Sequence, residues 1–234
     1  MEPSELTVIP ASETVWRIGF RPEPWAWSGW EWSTSGRFPG RWDDLHGNFR
    51  TVYAGSSLKA CLLEVLAGLR PDPRIAAELG NILEDDEDQV LYPTIRPGEV
   101  PREWLDARAA ARAELRGNYC AVSASSTVSV LYPNFIAKAL SLGLTDFDAA
   151  ALKDARPRQL TQAVAAWLYE MTSVDGVTFS SRHGDDLKLW AIFERPGDPA
   201  TSLKLGQQRI VDLHHDAAAV LEVFEILTLK WRDE

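Results

Sequence analysis

The chain of 234 residues has few cysteines and no long apolar segment, and both shortages exclude classes of protein. Cys61 and Cys120 are its only cysteines, too few for a disulfide framework, so reduced thiols packed in a cytoplasmic protein are expected. No apolar run approaches the roughly 18 residues that mark a membrane span. The N-terminal MEPSELTVIPASE lacks the basic and then apolar pattern of a secretion signal. The sequence therefore predicts a cytoplasmic protein with no membrane contact.

Positive charge is also in short supply. The 24 lysines and arginines face 34 aspartates and glutamates, which gives a formal net charge of −10. A protein that binds the phosphate backbone of DNA or RNA needs a basic face, so direct binding of nucleic acid is not expected. A small anionic ligand in a local basic pocket remains compatible with this charge, and a basic protein partner would be attracted.

Common sequence signatures of catalytic sites are absent as well. No GxGxxG follows a strand, and GxxxxGK[ST], GxSxG and HExxH do not occur. The four histidines lack the accompanying cysteines or acidic spacing of a zinc site. The acidic run of residues 84–88 lacks the spaced oxygens and the glycine of a calcium loop, so a solvated surface turn is expected there. No metal site is predicted.

The order of the elements favours an α+β class in a single domain of residues 1–234, because strands and helices are mixed without regular βαβ alternation. Residues 14–20 and 49–55 are expected to form strands, and residues 177–183 and 187–194 a pair of strands. A helix is expected after the first pair, with Ser56 or Ser57 as its N-cap.

The remaining segments predict mostly helices. Residues 101–117 are rich in alanine, begin with proline and end at Gly117, which indicates a helix. Residues 118–133 predict a β-rich run that Pro133 ends, and residues 134–142 a short helix capped by Asn134. Further helices are expected at residues 73–83 and 157–176, and a strand at 89–95. The tail, residues 216–231, is apolar enough for a packed final helix or for a strand–helix pair.

Tryptophan is concentrated near the N-terminus. Six of the ten tryptophans fall within residues 16–42, in a stretch rich in proline, glycine and serine. Two interpretations are open. The indoles either pin an irregular loop onto the core or form a wall on which a ligand stacks.

Residues 40–64, GRWDDLHGNFRTVYAGSSLKACLLE, bring three polar residues to one strand–helix corner. Arg41 lies in a turn, Tyr53 in the strand and Glu64 about two turns into the helix. A cation, a phenol and a carboxylate suit an anionic ligand that carries hydroxyl groups. Each residue also has a structural alternative: an ion pair of Arg41 with one of the two aspartates that follow it, a half-buried structural Tyr53, or a Glu64 that faces solvent.

Four further residues are candidates for ligand contacts. Arg17 lies on the first predicted strand and points away from the side of its two neighbours. Ser181, at the end of a predicted strand, suits a binding hydroxyl better than a covalent nucleophile, because no nucleophile elbow surrounds it. Arg182 and His183 either line the same opening or face water.

Five short motifs follow one another in the order of a known family. They are WRI at residues 16–18, GRW at 40–42, YA at 53–54, LLE at 62–64 and FSSR at 179–182. Together they resemble the RES domain family, which is named for its arginine, glutamate and serine. The resemblance implies an ADP-ribosyltransferase-like fold, with a mixed, split β-sheet core, flanking helices and a cleft for NAD. It further implies an NAD glycohydrolase or NAD phosphorylase that acts as the toxin of a toxin–antitoxin pair.

Carried over residue by residue, the resemblance makes Glu64, Arg41 and Tyr53 catalytic and Arg17, Ser181 and Arg182 substrate-binding. NAD is then the substrate and no resident cofactor is expected. The acceptor is water or inorganic phosphate, and the expected partner is a protein antitoxin. A homodimer, a non-catalytic nucleotide-binding or interaction module, and an ADP-ribosyltransferase that modifies a macromolecule are left open.

Two features depart from the family pattern. Asp43 and Asp44 follow GRW where asparagine is common, which adds negative charge near the expected anion site. Residues 70–120 are expected to form an added or enlarged section relative to a minimal RES domain. Either feature points to an altered substrate choice or to a surface that faces a partner.

Overall fold

The computed structural model describes residues 5–72, 74, 97–154 and 156–232. Eight strands occur in these residues: β1 (Val8–Phe20), β2 (Thr51–Gly55), β3 (Glu99–Val100), β4 (Arg108–Ala121), β5 (Gly176–Ser181), β6 (Gly184–Phe193), β7 (Leu205–Val211) and β8 (Lys230–Trp231). Six α-helices accompany them: α1 (Leu58–Leu66), α2 (Glu103–Asp106), α3 (Ser125–Ser141), α4 (Ala149–Lys153), α5 (Arg158–Met171) and α6 (Ala218–Leu227). The class is α+β, as predicted.

Six of these strands form one mixed sheet in the order β1-β2-β6-β5-β4-β7, and β3 pairs with β8 in a separate two-stranded sheet. The long strands β1 and β4 are antiparallel along their whole length, from Val8 opposite Cys120 to Phe20 opposite Arg108. The pairing of β4 with β5 is parallel, and the other pairings within the sheet are antiparallel.

Strand β1 also touches β2, which closes the sheet on itself through a single residue pair, Trp16 opposite Gly55. Beyond this pair, β1 and β2 form no further β-ladder pairs. An opening is therefore left between residues 17–20 and residues 51–54. We call this opening the seam. It positions the candidate site described below.

Apolar side chains pack on both faces of the sheet. The larger cluster lies between the sheet and four of the helices, α1, α3, α5 and α6. The smaller cluster, on the other face, contains Trp25, Trp27 and Trp190 beside alanines of β1 and β4. Both cysteines are buried and unpaired, as predicted.

The tryptophan-rich loop is therefore held largely by packing. Trp25, Trp27 and Trp42 are almost completely buried, and the indole N–H of Trp27 donates to the carbonyl oxygen of Pro199 at 3.0 Å. Trp30 and Trp32 are the exposed members of the loop. None of the four tryptophans between residues 25 and 32 lines the cavity described below, which favours the pinned-loop interpretation over a stacking wall.

The helix predicted at residues 101–117 is wrong. Only α2 is helical there, and β4 begins at Arg108 and runs through Gly117. Alanine favours helices in isolation, but here it faces partners on both sides of the sheet, and small side chains leave room for the indoles of the smaller cluster. Pairing with β1 and β7 outweighs the local preference.

The β-rich run predicted at residues 118–133 is wrong after Ala121, where β4 ends, and the boundary predicted at Pro133 is wrong as well. Helix α3 runs through Pro133, and Asn134 lies within it rather than at its N-cap. Its buried residues recur every four positions, at Thr127, Leu131, Phe135 and Ala139, which is the period of a helix face. The proline itself is exposed, so its ring meets no packed neighbour.

The other described predictions hold in outline. The strand predicted at residues 14–20 is part of β1, and the one predicted at 49–55 contains β2, which begins at Thr51. Ser57 is the N-cap of α1, accepting from the backbone N–H of Ala60. Helices α5 and α6 and the pair β5–β6 lie where expected, while strand β7 was not predicted. The helix at 73–83, the acidic run 84–88 and the strand at 89–95 lie largely or wholly outside the described residues. Among the residues that are described, no helix combines the length and apolar character needed to cross a bilayer.

Candidate active site

A cavity of about 410 Å³ opens at the seam. Its walls come from β1, β2, β5, β6, α1, the start of α5 and the turns that precede β2 and follow β5. Arg17, Arg41, Tyr53, Glu64 and Arg182 line it, so five of the six residues predicted from sequence meet at one place. The sixth, Ser181, does not line the cavity but contacts Glu64 directly.

Glu64 reaches the cavity because of its place on α1. The helix buries Ala60, Leu62, Leu63 and Leu66 against the core, which leaves Glu64 on its open side. Its Oε1 accepts a hydrogen bond of 2.5 Å from the Oγ of Ser181, and Ser181 is completely buried at the end of β5. The same Oγ accepts from the backbone N–H of His183 at 2.9 Å, which fixes the direction of the serine hydroxyl. The serine therefore orients the carboxylate.

Arg41 is held at the cavity by contacts along its side chain. Its guanidinium donates to the carbonyl oxygen of Lys153 at 2.5 Å and lies 4.6 Å from the ring centroid of Phe179. It makes no ion pair with Asp43 or Asp44 in the described structure, so that alternative is not observed. Burial lowers the pKa of Arg41, and the neighbouring Glu64 carboxylate opposes the shift. An arginine stays protonated under such a shift, so the cavity keeps this positive charge.

Tyr53 presents its ring to the cavity, while its hydroxyl is bound on the other side. The hydroxyl donates to Asp43 Oδ1 at 2.9 Å and accepts from the backbone N–H of Trp42 at 2.9 Å. Burial raises the pKa of Tyr53 well above its ordinary value, and the Asp43 carboxylate adds to the shift. The phenol therefore stays protonated and remains a hydrogen-bond donor to Asp43.

Asp43 is a residue of this region whose place the sequence did not predict. It is almost completely buried, and its Oδ2 accepts from the backbone N–H of Gly40 at 2.5 Å. A Cβ on Gly40 would lie 2.5 Å from both this carboxylate oxygen and the Tyr53 hydroxyl, so only glycine fits there. Burial raises the pKa of Asp43, and the hydrogen bond from Tyr53 opposes the shift. The aspartate holds a turn rather than adding charge to the cavity.

Arg17 crosses the seam. Its Nε donates to the carbonyl oxygen of Pro24 at 2.7 Å, and its NH1 donates to the carbonyl oxygen of Tyr53 at 2.9 Å. Burial lowers the pKa of Arg17. The side chain thus replaces a ladder hydrogen bond that β1 and β2 do not make, and it brings a positive charge to the cavity wall.

One cavity residue, Arg158, was not predicted, and His183, whose place the sequence left open, does not line the cavity. Arg158, the first residue of α5, lines the cavity and donates to the carbonyl oxygen of Pro39. His183 follows Arg182 in the turn after β5, and burial lowers its pKa, with the Glu64 carboxylate opposing the shift. The contact of Arg158 with Pro39 leaves no local signal in the sequence, because Arg158 has the pattern of an ordinary helix start.

The cavity therefore combines four guanidinium groups with one carboxylate, in a protein whose formal net charge is −10. The wall beside them is apolar and aromatic, with Phe179, Leu189 and Trp190. Such a lining suits a ligand with a polyanionic part and a flat or apolar part. Within the described residues, no group of three or more histidine, cysteine, aspartate or glutamate side chains is placed to hold a metal ion.

Comparison with known sequences identifies the family. A search of curated proteins gives no match. A sequence model of the RES domain matches residues 14–216, a range that includes every cavity residue named above. Since this match covers most of the chain, the protein belongs to the RES domain family.

Proposed function

We propose that this protein cleaves the nicotinamide–ribose bond of NAD. The observation that carries the proposal is the pairing, in one cavity, of a carboxylate oriented by a buried serine with four arginine side chains. NAD offers matching chemistry, because its diphosphate is anionic and its nicotinamide ribose develops positive charge as the bond breaks. The membership of the RES family supports an NAD-related role.

Glu64 is proposed to act on the ribose. When the glycosidic bond breaks, its electron pair stays with the nicotinamide nitrogen, and positive charge builds on the ribose ring. A fixed carboxylate stabilises this charge and accepts hydrogen bonds from the ribose hydroxyls. Neutral nicotinamide leaves, and the oxygen of water or phosphate then bonds to the anomeric carbon; when water attacks, it gives its proton to solvent. Positioning and charge stabilisation supply most of the rate.

The arginines are proposed to hold the diphosphate. Guanidinium groups bind phosphate oxygens through paired N–H donors, and Arg41, Arg158 and Arg182 all line the cavity. The pKa of Arg41 is affected by both Arg158 and Arg182, which reflects the closeness of the three charges. Arg17 already donates two hydrogen bonds to backbone carbonyls, so its contribution is mainly its charge.

The biological role proposed with this activity is that of a toxin, which a protein antitoxin neutralises in the cytoplasm. Loss of NAD stops growth, so an active enzyme of this kind needs an inhibitor in its own cell. The negative net charge favours a partner with a basic contact surface. The relation of the fold to ADP-ribosyltransferases, the homodimer and the enlarged section 70–120 stay predictions. The last part of that section supplies most of β4.

The test measures NAD and free nicotinamide with the purified protein, with and without phosphate. The wild type is expected to release nicotinamide, and Glu64→Gln is expected to lower kcat by about 100-fold or more, because it removes the charge that stabilises the transition state. Glu225→Gln, an exposed residue of α6, is the matched control and should keep full activity. Dependence on phosphate would identify phosphorolysis.

Two results would contradict the proposal. Intact NAD in every condition, with a folded protein that ADP-ribose stabilises against heat, would indicate a binding module. Transfer of the ADP-ribosyl group onto a protein or nucleic acid would indicate a transferase. Growth arrest on expression of the wild type, and not of Glu64→Gln, would test the toxin role separately.

A further inference from the structure

We propose that Asp43 and Gln162 are positioning residues that hold Arg41 at the cavity, and that the Tyr53 hydroxyl serves this support rather than the substrate. The inference rests on the proposed function only for its kinetic readout. It concerns the segment Phe38–Asp43, which we call the Arg41 turn.

One side of the Arg41 turn is held from β2 and from within. Asp43 accepts from the N–H of Gly40 with one carboxylate oxygen and from the Tyr53 hydroxyl with the other. The same hydroxyl accepts from the N–H of Trp42, and Thr51 donates to the carbonyl oxygen of Trp42 at 3.3 Å. The backbone before and after Arg41 is therefore bound on this side, while the arginine side chain is directed to the cavity.

The other side is held by α5. The Nε2 of Gln162 donates to the carbonyl oxygens of Phe38 and Gly40, at 3.3 Å and 3.0 Å. Arg158, one helical turn earlier, donates to the carbonyl oxygen of Pro39. Residues four apart share one face of a helix, so this face of α5 binds three consecutive carbonyls that lead to Arg41.

These contacts leave the Tyr53 hydroxyl little capacity for a ligand. A phenol has one proton, and here the proton goes to Asp43. The ring remains at the cavity wall, so Tyr53 can border the substrate by packing alone. Asp43 therefore directs the Tyr53 hydroxyl toward the Arg41 turn. The negative charge of Asp43 alone does not suggest this role.

The kinetic test compares Gln162→Ala in two backgrounds. In the wild type it is expected to lower kcat/KM roughly tenfold, because two hydrogen bonds to the Arg41 turn are lost. In Arg41→Ala it is expected to have less than about a twofold effect, because the group it positions is gone. Gln162→Glu, which keeps the size and removes both donors, should be as damaging as alanine. Gln159→Ala, on the exposed face of the same helix, is the matched control. An equal loss in both backgrounds would mean a merely structural role and would overturn the proposal.

The second test does not need activity. Hydrogen exchange at the amides of Gly40 and Trp42 is expected to speed up about tenfold in Gln162→Ala and in Tyr53→Phe, while amides of β6 stay unchanged. Unchanged exchange at Gly40 and Trp42 would overturn the proposal. If the wild type fails to cleave NAD, the proposed function fails, and exchange alone then decides whether the Arg41 turn is held as described.

Discussion

Ser181 shows how much a single buried hydroxyl does in this site. It is inaccessible to solvent, accepts from the N–H of His183 and donates to Glu64, so it has no freedom to contact a substrate without giving up a partner. Its role is better described as orienting Glu64 than as binding ligand. The sequence predicted a substrate-binding hydroxyl, and direct contact with a substrate stays a prediction.

The first prediction at this scale is that Ser181→Ala lowers kcat roughly 10- to 100-fold with little change in KM. The loss corresponds to one hydrogen bond to a charged group. Steady-state kinetics with NAD measure it, and Ser180→Ala, the preceding and only partly buried residue, serves as the control. A rise in KM at constant kcat would instead show that Ser181 contacts the substrate.

The second prediction concerns Arg158. Arg158→Ala is expected to raise KM for NAD about tenfold, because a cation that faces the diphosphate is lost. The control is Arg209→Ala at an exposed position of β7, which changes the net charge by the same amount but does not line the cavity. Equal KM values for the two variants would show that Arg158 supports only the Arg41 turn.

Sequence reasoning found the site residues that belong to a short motif and missed those whose role depends on a contact distant in the sequence. Arg41, Tyr53, Glu64 and Ser181 stand in short patterns, and the structure brings all four together. Gln162 acts through contacts with residues elsewhere in the chain, and the one with Gly40 spans 122 positions. No local pattern reports such a distance.

Among elements, the ends of β2 and β6 are joined by an ion pair that also supports the tryptophan-rich loop. Arg50 donates to both carboxylate oxygens of Glu194, with 2.7 Å from its Nε to Oε2, and its guanidinium lies 5.7 Å from the ring of Trp30. Both side chains are about one-fifth exposed. A paired geometry with this much burial makes the bridge stronger than a typical surface pair.

The third prediction concerns this ion pair and follows from the pKa of Glu194. The hydrogen bonds from Arg50 lower it below the ordinary value of 4.5. The stabilisation is therefore present above 4.5 and is lost as the pH falls through the lowered pKa. Glu194→Gln should cost about 1 kcal/mol of unfolding free energy at neutral pH, allowing for screening by water, and progressively less in acid. Urea unfolding at several pH values measures this.

The control for this experiment is Glu170→Gln, at an exposed position of α5. It should unfold like the wild type throughout the pH range. A cost of Glu194→Gln that stays the same in acid would show that the loop, and not the ionised pair, carries the stabilisation.

Element prediction succeeded where local preference and tertiary packing agree. Helix α5 has one apolar face and was found, whereas β4 is made of helix-favouring alanines and was not. Its alternation of buried and exposed residues around Arg112 is visible only once β1 and β7 are known to flank it. In α3 the four-residue period was present in the sequence, but the proline and the β-branched residues near it hid the signal.

At the scale of the whole molecule, the cavity exists because the sheet closes imperfectly. A complete ladder between β1 and β2 would leave no room between them, and a fully open sheet would not bring Arg17 near Tyr53. The cationic lining of the seam also contrasts with the acidic molecule around it. The composition shows an excess of negative charge, but only the fold shows where the arginines gather.

The edge of the sheet is formed by β7, and its irregularity limits further pairing. Gln207 has a positive φ of 47°, and the pairing with β4 shifts register between Arg112 and Glu114. Such irregularities and an exposed Arg209 discourage another strand from adding to this edge. The sheet thus presents a poor template for aggregation on that side.

The pairing of β1 with β4 has a consequence for the order in which the protein is made. Each residue of β1 pairs with a residue roughly a hundred positions later, so β1 leaves the ribosome about 5–20 s before its partner at ordinary rates of translation. The interval between the synthesis of Glu64 and that of Ser181 is longer still, because Ser181 is 117 positions further on. The nascent chain therefore acquires Glu64 and its first two cavity arginines early, but the complete cavity cannot form until most of the protein has been synthesised.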